Sequence, residues 1–351
     1  MSWERTLEKY SKIIEEYLRK FLDKTTEEAK NYHPFIENIY NDIQEFILRK
    51  GKRLASCSTL LVYKGFSGKV DDNILKICIG IELYRHAILV HDDLVDLDVS
   101  RRGGPTLHKK FMNSYSPYDS RFGDSVAVFA GNIIYSLANQ AILDSGFPPV
   151  LINRVLGLSS KGYHDVNESQ ILDLLFEQKD VQVDEWTVMA SKRAATLFKV
   201  TLLAGAILAA APENDFKLLE KVAENLGYSF DIQDDIIDSF AKKEEYGRST
   251  CLDISKNKKP LHIICALESE NTQKIEALKC LLGKQFLSYG EKDLARQLLK
   301  ETGGLDKAKQ ISRQYANQAR TLLLQTKLSD DVKEFFSSFI QYIEESLDWY
   351  K

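Results

Sequence analysis

The chain has 351 residues, 44% hydrophobic and 28% charged, and its 47 Lys and Arg against 51 Asp and Glu leave a formal net charge of −4. That composition belongs to a globular chain with a substantial core: it excludes extended disorder and removes the electrostatic basis for non-specific nucleic-acid binding. Only 7 prolines and 18 glycines punctuate it, fewer than average usage, which favours long helices over many short strands.

Taken from the N-terminus, MSWERTLEKYSKIIEEYLRK is charged from residue 4 and has no unbroken apolar run, so no secretory signal is expected. Apolar residues then recur at helical spacing almost throughout, with no convincing strand pattern. Residues 72–98 carry Ile74, Ile77, Cys78, Ile81, Tyr84 and Ile88, and residues 217–242 carry Val222, Leu226 and Phe230. Both stretches are apolar nearly all round and so belong in the middle of a bundle. The most apolar run, Val200 to Ala211, is too short to span a bilayer. From about residue 268 onward the chain is amphipathic and lysine-rich, as a bundle wall would be. Turn signals such as Lys50–Gly51, Arg101–Pro105 and Gly247–Pro260 mark helix ends rather than linkers. One all-α domain over residues 1–351, of roughly a dozen helices, is the expected architecture. Five cysteines without CxxC spacing imply free thiols in a reducing compartment, and the expected location is the cytoplasm.

Both central helices end in carboxylates. The first closes on His91-Asp92-Asp93-Leu94-Val95-Asp96-Leu97-Asp98, where Asp92 and Asp96 are one helical turn apart and about 40° apart around the axis. These carboxylates repel one another and sit against the negative end of the helix dipole, so a cation is required. Hard oxygen ligands suit Mg²⁺ shared with substrate phosphates. The second closes on Asp231-Ile232-Gln233-Asp234-Asp235-Ile236-Ile237-Asp238, the same DDxxD spacing. A single copy reads as a solvated acidic helix end; two copies, each ending an otherwise apolar helix, point to shared metal chemistry. Gly51-Lys52-Arg53 and Arg101-Arg102-Gly103-Gly104-Pro105 supply cations suited to diphosphate, bidentate from arginine and point-like from lysine.

In this order and spacing, GKR (51–53), HDDLVDLDVSRRGGPTLH (91–108), SQILDL (169–174), SFDIQDDIID (229–238) and GRSTCLDISKNKKP (247–260) resemble the all-trans isoprenyl diphosphate synthases, or polyprenyl synthetases. The resemblance implies a helical bundle around a central cavity, a homodimer, and head-to-tail condensation of an allylic diphosphate with isopentenyl diphosphate. It implies three Mg²⁺ ions held by Asp92, Asp96, Asp234 and Asp238, with Asp93 and Asp235 in the same clusters. Arg101, Arg248 and Lys258 would contact the allylic diphosphate; Lys52, Arg53 and Arg102 would serve the isopentenyl side. The family assigns proton loss to the released diphosphate, so no side-chain base is expected.

Departures from the family pattern fall on the isopentenyl side. Its GKRxRP motif has a second arginine where this chain has Ala55, and its His or Gln seven residues before the first aspartate is Arg85 here, which we expect to replace the missing charge. The family's Lys-Thr pair appears as Arg193-Ala194 and its Phe-Gln pair as Phe230-Asp231; Asp231 either pairs with Arg193 or adds to the metal face. Such erosion also fits a terpene synthase, and a non-catalytic subunit of a heteromeric synthase is a third reading, though retention of the aspartates, Lys52 and Arg102 favours elongation. In the family, the positions four, five and eight residues before Asp92 face the growing chain. Here they are Ile88, Ala87 and Tyr84. Ala87 is too small to stop growth at fifteen carbons, and Tyr84 lies about one turn deeper, near one isoprene length. The expected product is C20, or C25.

Overall fold

The computed structural model describes residues 3–115, 120–241 and 250–349. Among these there are fifteen helices, somewhat more than the dozen expected, and one short hairpin. Their contacts divide the chain into two compact units: Met1–Ser160 with Thr201–Pro212 and Leu328–Val332, and Lys161–Val200 with Glu213–Lys327 and Lys333–Lys351.

The first unit opens with α1 (Trp3–Tyr32), whose buried Leu7, Tyr10, Ile14, Leu18 and Leu22 recur every three or four residues. Pro34 starts α2 (Pro34–Leu48), where its missing N–H costs nothing, and the His33 ring caps the Phe35 N–H. After α3 (Leu54–Ser67), Asp71 caps α4 (Asp72–Val95) through the Ile74 N–H. Helix α4 is buried on every side for several turns, as its unbroken apolar pattern requires. It stops at Val95, earlier than the sequence suggests, with Asp96 as its C-cap and the Asp96 N–H on Asp92 O at 2.8 Å.

A two-strand antiparallel hairpin follows, β1 (Ser100–Arg101) with β2 (Gly104–Pro105), which the strand-free sequence reading missed because two residues are too few for any period to show. Arg102 and Gly103 turn it with φ of 52° and 79°, a pair of positive values characteristic of a type I′ turn. Then come α5 (Leu107–Ser114), α6 (Ser120–Leu143) and α7 (Pro149–Phe176), which belongs to the first unit up to Ser160 and to the second from Lys161. Residues Arg121–Leu143 are long and apolar enough to cross a membrane by length and composition, contrary to the expectation that no stretch is. Ala127, Ala130, Ile134, Ala138 and Ile142 along it are buried against the protein, and 44% of the apolar window is buried in all. Val128 and Phe129 remain exposed.

In the second unit, the part of α8 (Val183–Leu208) up to Val200 and α9 (Glu213–Phe240) are followed by the short α10 (Leu252–Ser255) and α11 (Leu261–Leu267). The wall comprises α12 (Thr272–Lys279), α13 (Tyr289–Glu301), α14 (Gly304–Leu324) and α15 (Asp330–Ser346). Fully buried Trp186 anchors a core with Met189, Ile232, Ile236, Leu261 and Ile264. Helices α9 and α14 approach closely enough for the hydroxyls of Ser229 and Ser312 to bond at 3.0 Å. Ser288 and Glu291 form a capping box at the start of α13.

Close approach also defines α4 against α6. A Cβ on Gly80 would lie 2.6 Å from Ile142 Cγ1 and 2.9 Å from Ala138 O. Alanine is normally the better helix former by about 1 kcal/mol, but overpacking costs roughly 1–3 kcal/mol. We expect Gly80→Ala to destabilise the protein by up to about 2 kcal/mol in chemical denaturation, the reverse of an exposed helical Gly→Ala change.

Candidate active site

The end of α4 and the hairpin form one charged cluster. Arg101 Nε donates to Asp93 Oδ1, and its Nη2 lies 3.4 Å from Asp92 Oδ2 and 3.8 Å from Asp98 Oδ2. Arg101 is therefore the neutralising cation that the acidic helix end demands. Asp93 is 1% exposed, and burial pushes its carboxyl up to about 7 despite the adjacent guanidinium. Its Oδ2 is buried without a hydrogen-bond donor among the described residues.

Arg102, held in the left-handed region, lays its guanidinium over Gly51 and donates from Nη1 to His86 Nε2 at 3.1 Å. His86 Nδ1 lies 2.7 Å from the Glu82 carbonyl, which can only accept, so Nδ1 carries the proton and Nε2 is free to accept from Arg102. Burial lowers the imidazole to about 3, which keeps it neutral beside an arginine. The buried Glu82 carboxylate accepts from Ser56 Oγ at 2.7 Å and Arg53 Nη1 at 3.3 Å. Burial alone would raise its pKa, but the Arg53 charge holds it below the ordinary value.

The expected substrate contact Arg53 thus lies in the interior, 3% exposed, spanning Glu82 and, at 3.8 Å, Glu15. Its left-handed backbone at the α3 N-cap turns it inward, while exposed Lys52 lies over the Trp3 ring at 5.4 Å. Arg85 is near enough to Arg102 to act on its charge. Tyr84 is 1% exposed with its ring 6.4 Å from that of Tyr135; Ala87 is fully buried and Ile88 half-buried.

In the second unit, Arg193 Nη2 donates to Asp231 Oδ2 at 2.8 Å and Nη1 to Asp173 Oδ1 at 3.2 Å, with Asp235 Oδ2 3.6 Å away. Of the two alternatives for Asp231, the structure has the ion pair. Burial works against the Arg193 charge, but Asp231, Asp173 and Asp235 together hold its pKa well above the ordinary value. Burial and the neighbouring Asp231 push Asp235 well up. Lys258 Nζ lies 3.2 Å from Asp173 Oδ2, so one carboxylate gathers two of the expected cations. Lys259 instead turns onto Asn257, at 2.7 Å from its carbonyl. Asp238 Oδ2 accepts from the Asp253 N–H at 3.2 Å, which ties the end of α9 to α10. Arg248 lies outside the described residues.

Several contributors were not singled out in the sequence. Asp173 sits inside SQILDL, and its signal was a carboxylate beside a motif already noticed. Glu82 and His86 are i and i+4 on an apolar helix, a polar pair whose burial was the available clue. Arg49 showed no signal at all. As for metal, both clusters offer only hard carboxylate oxygens, and the buried Oδ2 atoms of Asp93 and Asp235 lack hydrogen-bond donors among the described residues. That donor set fits Mg²⁺.

The polyprenyl synthetase family profile matches residues 36–299. The chain is 28% identical to a geranylgeranyl diphosphate synthase of Sulfolobus acidocaldarius over 91% of this chain and 94% of that one. It is 28% identical to a geranylfarnesyl diphosphate synthase of Aeropyrum pernix over 84% and 90% of the respective lengths. Its fold superposes on a geranylgeranyl pyrophosphate synthase of Corynebacterium glutamicum, solved with isoprenyl diphosphate and magnesium, with a TM-score of 0.90 over 99% of this chain and 100% of that one, at 20% identity.

The Glu82 arrangement makes a direct stability claim. Glu82→Gln leaves the Arg53 guanidinium buried beside a neutral amide, and breaking a buried pair costs about 3–5 kcal/mol. We expect a loss of about 3 kcal/mol in urea denaturation; a change below about 1 kcal/mol would show that Glu15 alone satisfies Arg53.

Proposed function

The chain belongs to the polyprenyl synthetase family, and we propose that it is a prenyltransferase that joins isopentenyl diphosphate head-to-tail to an allylic diphosphate, giving a C20 or C25 all-trans product. The observation that carries this reading is the pair of DDxxD clusters, each with a guanidinium beside one of its carboxylates, Arg101 on Asp93 and Arg193 near Asp235. Relatives of nearly full length bearing geranylgeranyl and geranylfarnesyl synthase names support elongation over terpene cyclisation or a silent subunit.

Leaving-group departure is the difficult step, because diphosphate accumulates charge as the allylic bond breaks. In our reading Asp92 and Asp96, and likewise Asp234 and Asp238, would hold the Mg²⁺ ions, three in all, that accompany the allylic diphosphate, with Asp93 and Asp235 in the same clusters. When bound, the metal neutralises the charge that develops on the leaving group. Arg101 and Lys258, with Arg248 and Arg193, bind and orient that diphosphate, releasing their present carboxylate partners in part as it arrives. Arg102 and Lys52, with Arg85 in place of the charge absent at Ala55, bind isopentenyl diphosphate. The released diphosphate takes the proton from C2 of the tertiary cation formed by condensation, which creates the new allylic double bond. Arg53, turned onto Glu82, supports this group from behind rather than touching substrate. Tyr84, with Ala87 and Ile88 above it, limits chain growth, and its burial and fixed packing on Tyr135 support a floor. Both units then belong to one catalytic domain of a cytoplasmic homodimer, and exposed Val128 and Phe129 on α6 offer an apolar surface for pairing.

Incubation with labelled isopentenyl diphosphate, farnesyl diphosphate and Mg²⁺ tests the reading. We expect C20 with some C25 diphosphate and none without metal. A neutral hydrocarbon or alcohol would establish a terpene synthase instead, and an absence of any product would indicate a subunit. Tyr84→Ala should lengthen the product by at least one isoprene unit. Arg85→Ala should raise KM for isopentenyl diphosphate on the order of tenfold, the scale of one charge-assisted hydrogen bond.

A further inference from the structure

Arg49, the residue that ends α2, has a side chain only 7% exposed, yet it lies far from any DDxxD carboxylate in sequence. Its Nε and Nη2 donate to the two oxygens of Glu45 at 2.8 and 2.7 Å. Its Nη1 donates to the carbonyls of Pro105 at 2.8 Å and Arg101 at 3.1 Å. The guanidinium lies over Phe46 at 5.2 Å. Lys110 holds the same Glu45 carboxylate at 2.9 Å, and Arg49 and Lys110 together keep that carboxyl down to about 2.

The two accepting carbonyls belong to opposite strands of the hairpin, one on each side of the turn that presents Arg102 and directly beside Arg101. A ladder of two residues per strand cannot maintain its own geometry in water. The turn also holds a non-glycine residue at positive φ, a conformation that L side chains rarely adopt. Something outside the hairpin must hold it, and the planar five-donor fork of arginine can grip two carbonyls and a carboxylate at once, as a lysine cannot. The fit is tight enough to dictate a neighbour: a Cβ on Gly104 would lie 2.5 Å from Arg49 Cζ.

We propose that Arg49, locked by Glu45, is a positioning residue that sets the spacing and orientation of Arg101 and Arg102 for diphosphate. This rests on reading those two arginines as diphosphate contacts. Arg49 itself touches no substrate; it acts through the backbone of the turn. Two substitutions approach the clamp from opposite sides. Arg49→Lys keeps the charge and removes the fork. Gly104→Ala leaves Arg49 in place but puts a methyl group where its guanidinium lies, at a residue whose φ is not in the left-handed region.

The test is calorimetric binding of inorganic diphosphate in the presence of Mg²⁺, with KM for isopentenyl diphosphate and thermal melting measured in parallel. Each single variant should weaken diphosphate binding about tenfold and raise KM similarly, with kcat within about threefold and melting within a few degrees of the parent. The double variant should be no worse than the poorer single, because both disable one clamp. Unchanged diphosphate binding in Arg49→Lys, or fully additive losses in the double variant, would overturn the proposal. If the parent binds diphosphate with Mg²⁺ but elongates nothing, the proposed reaction fails while these affinities still decide the role of Arg49. If the parent does not bind it, both fail.

Discussion

A carboxylate cluster pinned by a guanidinium is the interaction on which the arrangement of charged groups in each unit depends. Unpaired carboxylates at a helix C-terminus, in a partly desolvated setting, cannot all stay ionised, because burial and mutual repulsion drive protons onto them. Arg101 serves this purpose for Asp92, Asp93 and Asp98, and Arg193 for Asp231, Asp235 and Asp173. Among these contacts the acids outnumber the cations, Arg101 against three in the first unit and Arg193 with Lys258 against three in the second, so negative charge remains for a metal to meet. Asp93 is lifted to about 7 chiefly by its burial, with Asp92 and Asp98 adding to the rise and Arg101 opposing it.

The guanidiniums themselves must be held, and the means differ between the units. In the first, the turn of Arg101 and Arg102 rests on a chain of fixed acceptors and donors: His86 under Arg102, Glu82 beneath Arg53, and Arg49 across the strands. His86 performs its part because it is neutral and its tautomer is dictated by the Glu82 carbonyl. In the second, Asp173 sits between Arg193 and Lys258, so one acid orders two cations. A diphosphate arriving there would replace carboxylate oxygens with phosphate oxygens around cations already in place, which reduces the reorganisation needed during reaction.

Helices and acids were legible from the sequence because their signals are periodic or clustered. The apolar pattern of α4 and α9 announced central helices, and the aspartates at their ends announced themselves by repetition. What escaped notice was either too short for a period, like the two-residue strands, or a matter of direction rather than type. Arg53 lies in a cationic motif, but the left-handed backbone before α3 turns it onto Glu82. The pairing of Arg193 with Asp231 could be framed as an alternative and not resolved, since sequence gives residue types without distances. Helix α6 is apolar enough to resemble a membrane span, and only the structure shows that one face of it, from Ala127 to Ile142, is packed inside the protein. Arg49 lay outside every motif; only hydrogen bonds to two carbonyls reveal it.

Thermodynamic coupling between metal and diphosphate tests the central claim most directly. If Arg101 and Arg193 leave each cluster short of neutral, Mg²⁺ and inorganic diphosphate must each bind better in the presence of the other, and by the same factor. Titration calorimetry of each ligand with and without the other should show mutual tightening of at least tenfold, abolished by Asp92→Asn and by Asp234→Asn. Diphosphate binding that is indifferent to Mg²⁺, in the unaltered protein, would contradict the account.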